Sequence, residues 1–165
     1  MDTRGNVAYF GAFGYELDLG RLTLEEHQIV RRQIAFVKQY RGLIQTGVFY
    51  RLKSPFEGNM TAWMVVSDDK TRAIVAYYKV LNEVNGPFRR LFLHGLDPER
   101  CYLLEWEGEE REEKPAFYGS ELMNAGLVIS DASSGEASPG NHCTDFWSRV
   151  AVLTAIQDQE KGIEI

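Results

Sequence analysis

Apolar residues along this chain recur with two different periods, and the change of period divides the chain into parts. Between residues 24 and 41 the apolar positions follow the period of a helix that buries one stripe. This stripe consists of Val30, Ile34, Phe36, Val37, Tyr40 and Ile44. Thr23 and Glu26 have the spacing of a capping box, and Gly42 stands where a left-handed residue often ends a helix. The pattern predicts one long helix over residues 24–41.

From Leu43 to about Ile156 the chain is rich in β-branched and aromatic residues, interrupted by turn residues at short intervals. The predicted strands are 48–52, 61–67, 72–81, 88–94, 101–106 and 146–156. The segment 105–114 is acidic and is expected to be a solvated hairpin loop, and the segment 130–141 a polar surface loop. Strands spaced in this way predict an antiparallel β-sandwich or barrel of about eight strands.

The first nineteen residues follow neither pattern. Residues 7–10 form a short apolar run, which is typical of a strand buried on both faces. Such a strand needs a neighbour on each side, so this segment does not resemble the complete beginning of a domain.

Charge and cysteine content exclude several classes of partner. The formal net charge is −6 and no basic stripe is present, so binding to nucleic acid is not expected. Cys101 and Cys143 lie far apart in sequence and are expected to be reduced thiols of a cytoplasmic protein. No apolar run approaches the roughly 20 residues of a membrane span, and residues 1–6 do not resemble a signal peptide. We expect no membrane association.

The residues that could carry chemistry do not form a recognisable site. His27, His94 and His142 lack the spacing of metal ligands, and His142 beside Cys143 is not expected to form a catalytic pair.

Other familiar patterns are absent too. Residues 11–14 lack the pattern of a phosphate-binding loop, and the acidic run lacks the EF-hand pattern that a calcium site would favour. Glu16 and Asp18 share one face of an extended segment, which favours a solvated surface over a catalytic pair. No catalytic residue, cofactor or metal is predicted.

The three tryptophans leave two interpretations open. Trp63, Trp106 and Trp147 each lie in or beside a strand-like apolar run. Sandwich cores bury such residues routinely, which favours a role in packing. Exposed tryptophans and tyrosines could instead stack on sugar rings, as in a carbohydrate-binding module.

Several longer motifs, in this order along the chain, resemble bacterial α-galactosidases of glycoside hydrolase family 36. The resemblance covers about residues 3 to 156. The matching segments are 4–19, 33–36, 40–45, 49–56, 63–67, 87–91, 95–98 and 121–127. Segment 4–19 resembles the last strand of the family's catalytic barrel. The helix resembles the element that follows this strand, and segment 49–56 resembles the entry to the C-terminal sandwich.

The resemblance implies a mainly β fold: an antiparallel β-sandwich preceded by one strand and one long helix left from a (β/α)8 barrel. Residues 1–42 would be the end of the barrel, 43–156 the sandwich and 157–165 a tail. It also implies that the parent is a retaining enzyme, with a nucleophile in a Lys-Trp-Asp-x-Asn-Arg segment and an acid/base in a Ser-Asp-x-x-Asp segment. Neither segment occurs here, and both are expected upstream of Met1.

The predicted function is therefore that of a non-catalytic C-terminal domain of an enzyme that hydrolyses terminal α-galactosides of the melibiose and raffinose type. Its expected partners are the rest of the barrel and other copies of the same chain. The alternatives are a carbohydrate-binding module and an enzyme with converging carboxylates of its own. We further expect the chain to associate with copies of itself through residues of about 5–19 and the helix. Otherwise the first segment should be disordered. The sandwich from Leu43 should fold alone.

Overall fold

The computed structural model describes residues 2–82, 89–109, 112–129 and 145–156. The helices in these ranges are α1 (Asp2–Ala8), α2 (Leu24–Thr46) and α3 (Gly119–Asn124), with a short 3-10 helix at Leu19–Arg21. The strands are β1 (Val48–Lys53), β2 (Met60–Val66), β3 (Arg72–Lys79), β4 (Arg89–Leu91), β5 (Cys101–Trp106), β6 (Ala116–Tyr118), β7 (Leu127–Ile129) and β8 (Trp147–Ala155). The prediction of a mainly antiparallel β-sandwich is confirmed.

The strands form two sheets of unequal size. The larger has the order β1-β2-β3-β8-β5-β6, and the smaller pairs β4 with β7. Every pairing is antiparallel. The closing strand β8 lies in the middle of the larger sheet, between β3 and β5.

Side chains on the two faces of the larger sheet belong to two separate cores, because successive strand residues point to opposite faces. On one face Val75 and Tyr77 of β3 pack with Leu153 of β8 beneath β4, β7 and α3. On the other face Ile74 and Tyr78 of β3 join a second cluster. The domain therefore has three layers, with the larger sheet in the centre.

The second core is closed by the N-terminal part of the chain. Tyr9 and Phe36 are buried in it, and Phe10, Phe13 and Tyr40 pack against its edge. α2 covers this face of the sheet with the C-terminal part of the stripe predicted from its sequence, namely Phe36, Val37, Tyr40 and Ile44. Whether copies of the chain associate stays a prediction.

The start of α2 is confirmed and its predicted end is wrong. The Thr23 hydroxyl accepts from the Glu26 N–H at 3.2 Å, and the Thr23 N–H donates to the Glu26 carboxylate at 2.9 Å. This is the predicted capping box. Gly42 does not end the helix, which continues to Thr46, and Gly47 is the residue that caps it. The five additional residues, 42–46, bring Leu43 and Ile44 onto the sheet, and this packing outweighs the weak helix propensity of glycine.

Residues 7–10 do not form the predicted strand, because α1 extends to Ala8 and no strand lies in this region. Asn6 of α1 is buried against β8, where its Nδ2 donates to the Ser148 hydroxyl at 2.9 Å. The Tyr78 hydroxyl donates to the Asn6 carbonyl oxygen at 2.6 Å. Val7 is half-exposed whereas Tyr9 is buried, so the apolar run does not share one buried environment.

The predicted loops meet different outcomes. The acidic segment 105–114 connects β5 to β6, which pair as a hairpin, so the predicted hairpin loop is confirmed for its described residues. A turn follows Leu96, in which the Arg100 N–H donates to the Asp97 carbonyl oxygen at 3.3 Å. The loop predicted at 130–141 lies outside the described residues.

Candidate functional site

The carboxylates near the N-terminus serve the local backbone. The Asp18 side chain accepts from the Gly20 N–H at 3.0 Å and pairs with Arg21 at 3.2 Å, capping the short 3-10 helix. Glu16 is exposed. This agrees with the prediction of a solvated surface at these two residues.

The two histidines that the structure describes are far from metal-binding geometry. His27 lies in the first turn of α2, and His94 is exposed beyond the end of β4, with its ring 6.3 Å from that of Tyr50. No group of three or more potential metal ligands occurs in the described parts of the chain. His142 and Cys143 lie outside these parts, and Asp145 accepts from the Asn82 N–H at 2.6 Å. Cys101 is a free, half-buried thiol.

Carboxylates of the acidic segment that the structure describes bind cations of the protein itself. Glu105 pairs with Lys114, and Glu109 pairs with Arg149. The Glu107 side chain is 6% exposed and binds the Arg32 guanidinium at 2.9 Å. The hairpin is thereby fastened to α2 and β8, which gives these charges a structural role.

A polar groove of about 790 Å³ lies at the end of the sheet where β3 begins and β8 ends. Asp69 accepts hydrogen bonds from the Ser67 hydroxyl and from the N–H and the hydroxyl of Thr71. These hydrogen bonds lower the pKa of its carboxyl group to about 2. Asp97 pairs with Arg100 at 3.4 Å and accepts from the Glu99 N–H at 3.1 Å. Both aspartates therefore already have local partners, and the lowered pKa of Asp69 keeps its carboxyl group ionised.

The three tryptophans are half-buried and pack against the cores. Trp63 contacts the second core, with its ring 4.6 Å from Tyr78 and 5.8 Å from Phe10. Trp106 and Trp147 pack against the first core. The Arg149 guanidinium covers one face of Trp106 at 3.9 Å. The rings do not form the common exposed platform that a sugar-binding surface requires.

Replacing Trp63 should therefore affect stability and leave sugar binding unaffected. We expect Trp63→Ala to lower the free energy of unfolding by about 3 kcal/mol, at the low end for aromatic core residues because the ring is half-buried. Urea unfolding of the variant and the parent chain measures this difference. Calorimetry with galactose, melibiose and raffinose should show no binding to the parent chain at millimolar concentration. A stable variant that had lost measurable sugar affinity would support the binding-module alternative instead.

The largest arrangement that sequence analysis missed is the aromatic contact between the N-terminal segment and α2. The Tyr9 ring stacks on Phe36 at 4.4 Å between centroids, and Phe13 stacks on Tyr9 at 5.7 Å. Tyr9 is 2% exposed, and its hydroxyl lies 3.4 Å from Glu107. Burial, followed by the negative charge of Glu107, raises the Tyr9 pKa far above its usual value, so the phenol stays neutral.

A polar residue completes this contact. Gln33 is 1% exposed and accepts a hydrogen bond from the Tyr15 hydroxyl. A side chain at Gly5 would lie 2.3 Å from the Gln33 amide, so only glycine lets α1 approach α2 so closely. Val30, Gln33 and Phe36 follow one another at helical spacing, so the sequence did indicate that they share a face of α2. Gln33 was left out of the predicted stripe because it is polar.

The layers and the antiparallel strand pairings define a β-sandwich domain. Comparison with protein families identifies the domain further. The model of the glycosyl hydrolase family 36 C-terminal domain matches residues 60–153, and the melibiase model matches residues 1–47. The chain belongs to glycosyl hydrolase family 36.

Curated relatives are α-galactosidases that are much longer than this chain. Alpha-galactosidase AgaA of Geobacillus stearothermophilus is 45% identical over 157 residues, which cover 95% of this chain and 19% of AgaA. Alpha-galactosidase 1 of Pediococcus pentosaceus is 41% identical over 127 residues, covering 77% of this chain and 16% of the relative. The matched residues therefore make up less than a fifth of the length of each of these two relatives.

Solved structures show the same relation. The α-galactosidase from Lactobacillus brevis superposes with a TM-score of 0.82 at 41% identity, covering 95% of this chain and 20% of that protein. A variant of AgaA in complex with raffinose gives a TM-score of 0.79 at 44% identity, covering 94% and 19%. None of the helices in the described residues has the length and apolar run of a membrane-spanning helix.

Proposed function

We propose that this chain is the non-catalytic C-terminal part of an α-galactosidase that hydrolyses terminal α-galactosides such as melibiose and raffinose. The observation that carries the proposal is the 45% identity to AgaA over 95% of this chain, in a segment that is a fifth of AgaA. The absence of both family catalytic segments from this sequence supports a role outside the chemistry.

The proposed role is to hold the end of the catalytic part against a rigid sheet. The melibiase model matches residues 1–47, and this stretch contains both α1 and α2. Both helices contact the large sheet, α1 through Asn6 and α2 through Phe36. Residues 1–42 would be the end of the barrel and 43–156 the sandwich, so the contact would join two domains of the complete enzyme.

Assembly into homo-oligomers and a location in the cytoplasm belong to the same proposal. Exposed apolar side chains, including Phe49 at 50%, support contacts with further protein surface. The free thiol of Cys101 is consistent with a reducing compartment.

The test is a chimera in which this chain replaces the matched part of AgaA. We expect the chimera to hydrolyse an aryl α-galactoside, because the C-terminal part supplies support and the AgaA part supplies the catalytic groups. The isolated chain and AgaA lacking the matched part serve as controls, and both should be inactive. Turnover by the isolated chain that disappeared in Asp97→Asn or Asp18→Asn would contradict the proposal, since it would place a catalytic carboxylate here.

A further inference from the structure

Exposed apolar side chains are concentrated at the end of the large sheet where β3 ends and β8 begins. Phe56, in the loop between β1 and β2, is 95% exposed. Val80 and Leu81 follow β3 with exposures of 43% and 46%, and Phe146 precedes β8 with 67%. We call these four residues the apolar row.

Backbone hydrogen bonds join the members of the apolar row across the sheet. The Val80 N–H donates to the Asn59 carbonyl at 2.8 Å, which ties the loop containing Phe56 to the end of β3. The Phe146 N–H donates to the Val80 carbonyl, also at 2.8 Å. The row therefore runs over three neighbouring strands in a fixed order.

Phe146 has an unusual backbone conformation for an aromatic residue. Its φ is 53°, in the left-handed region that bulky side chains rarely adopt. The Phe146 N–H donates to Val80 and the Phe146 carbonyl accepts from Thr3. These two hydrogen bonds hold the backbone conformation and leave the ring mostly exposed. A strained residue that presents an aromatic ring to the surface suggests a functional contact.

The row leads directly to the start of α1. The Thr3 hydroxyl donates to the Phe146 carbonyl at 2.6 Å, so the first turn of α1 lies beside the row. Val7, one turn further on, is 49% exposed. Polypeptide that precedes α1 in a longer relative would arrive at this end of the sheet, because Thr3 lies beside Phe146. Residues 1–47, which contain α1, match the melibiase model, and 60–153 match the C-terminal domain that follows it.

We propose that the apolar row is the docking surface for the polypeptide that precedes α1 in the complete α-galactosidase, with Phe56 and Phe146 as its two anchors. The inference rests on the proposed function and adds the surface and the side chains through which the catalytic part is held. Large exposed aromatic side chains are the usual anchors of such contacts, since they bury much area with few rotatable bonds. Continuity with the covalent connection at α1 favours this occupant over a second copy of the chain.

The test measures thiol reactivity in the isolated chain and in the AgaA chimera. Phe56→Cys and Phe146→Cys each place a thiol in the row, and Phe92→Cys places one outside it, at a position beyond β4 that is 50% exposed. Labelling with a small maleimide, read by mass spectrometry of peptides, separates these thiols from the two natural ones. We expect the Phe56→Cys and Phe146→Cys thiols to react about tenfold more slowly in the chimera, and the Phe92→Cys thiol to react at a similar rate in both proteins.

The outcomes separate this inference from the proposed function. An active chimera in which the row thiols react as fast as in the isolated chain overturns the docking surface alone. An inactive chimera with protected row thiols overturns the proposed function and leaves the docking surface supported. An insoluble chimera counts against both. Protection that appears in the isolated chain as its concentration rises would assign the row to a second copy and overturn the inference.

Discussion

A shortened chain that begins at Leu43 is expected to lose its cooperative fold, although the sandwich sequence itself would be complete. Without residues 1–42, one face of the large sheet loses most of its cover, including that over Ile74, Tyr78 and Val152. Deleting the buried side chains of Tyr9 and Phe36 alone would remove roughly 6–10 kcal/mol if they acted independently. That is comparable with the entire stability of an ordinary domain, about 5–15 kcal/mol.

Light scattering and near-ultraviolet circular dichroism of the shortened and full chains test this expectation. The shortened chain should aggregate, or bind a hydrophobic dye without fixed aromatic packing. The full chain provides the control, since its second core is closed by its own N-terminal segment. A monomeric shortened chain with a cooperative unfolding transition would show that the first core suffices, as the sequence had suggested.

Tyr9→Ala is expected to have the largest effect of the single substitutions considered. The ring is buried, stacks on Phe36 and Phe13, and joins α1 to α2. Truncation leaves a cavity in the second core and should lower the free energy of unfolding by about 3–5 kcal/mol. Tyr9→Phe removes only the hydroxyl, whose contact with Glu107 is long at 3.4 Å, so its cost should stay below about 1 kcal/mol.

Tyr118→Ala is the matched control, since Tyr118 is 52% exposed at the edge of the sheet. Surface substitutions of this kind usually change stability by no more than about 0.5 kcal/mol. Chemical unfolding of the three variants and the parent gives the comparison. Equal destabilisation by Tyr9→Ala and Tyr118→Ala would mean that the N-terminal segment does not stably occupy the face of the sheet.

Features that depend on neighbouring residues could be predicted from the sequence. The capping box of Thr23 and Glu26 is a local hydrogen-bond arrangement, and it set the start of α2 correctly. Six of the eight described strands were also recognised, because alternation and punctuation act over a few residues, whereas the three-residue strands β6 and β7 were missed. The end of α2 was misplaced since Gly42 faces open space in the helix, where glycine is tolerated at a modest cost.

Features that depend on distant parts of the chain could not be predicted. Residues 7–10 have the composition of a buried strand, yet Asn6 and Tyr9 bind Ser148 and Glu107, far along the chain. Strand order, the division into sheets of six and two, and the second core are likewise set by long-range pairing. The aromatic contact around Tyr9 was missed because its members are scattered over the sequence and meet only in the fold.

The apolar row could be found only from the structure. Phe56 and Phe146 are ninety residues apart in sequence, and neither belongs to a strand. Exposure, and the hydrogen bonds that join the loops, identify them as one surface. The absence of the two family motifs from this sequence, in contrast, was evident at once, because a motif is a property of the sequence itself.

The position of β8 has a consequence for synthesis of the chain on the ribosome. Because β8 lies between β3 and β5, the large sheet cannot close until residues 147–155 have emerged. Until then β3 and β5 each present an unpaired edge, the kind of surface that invites aggregation of nascent chains. Premature termination before Trp147 would therefore remove the central strand of the large sheet. Strands β1 to β3 and strands β5 and β6 would then remain as two parts of that sheet that do not pair with each other.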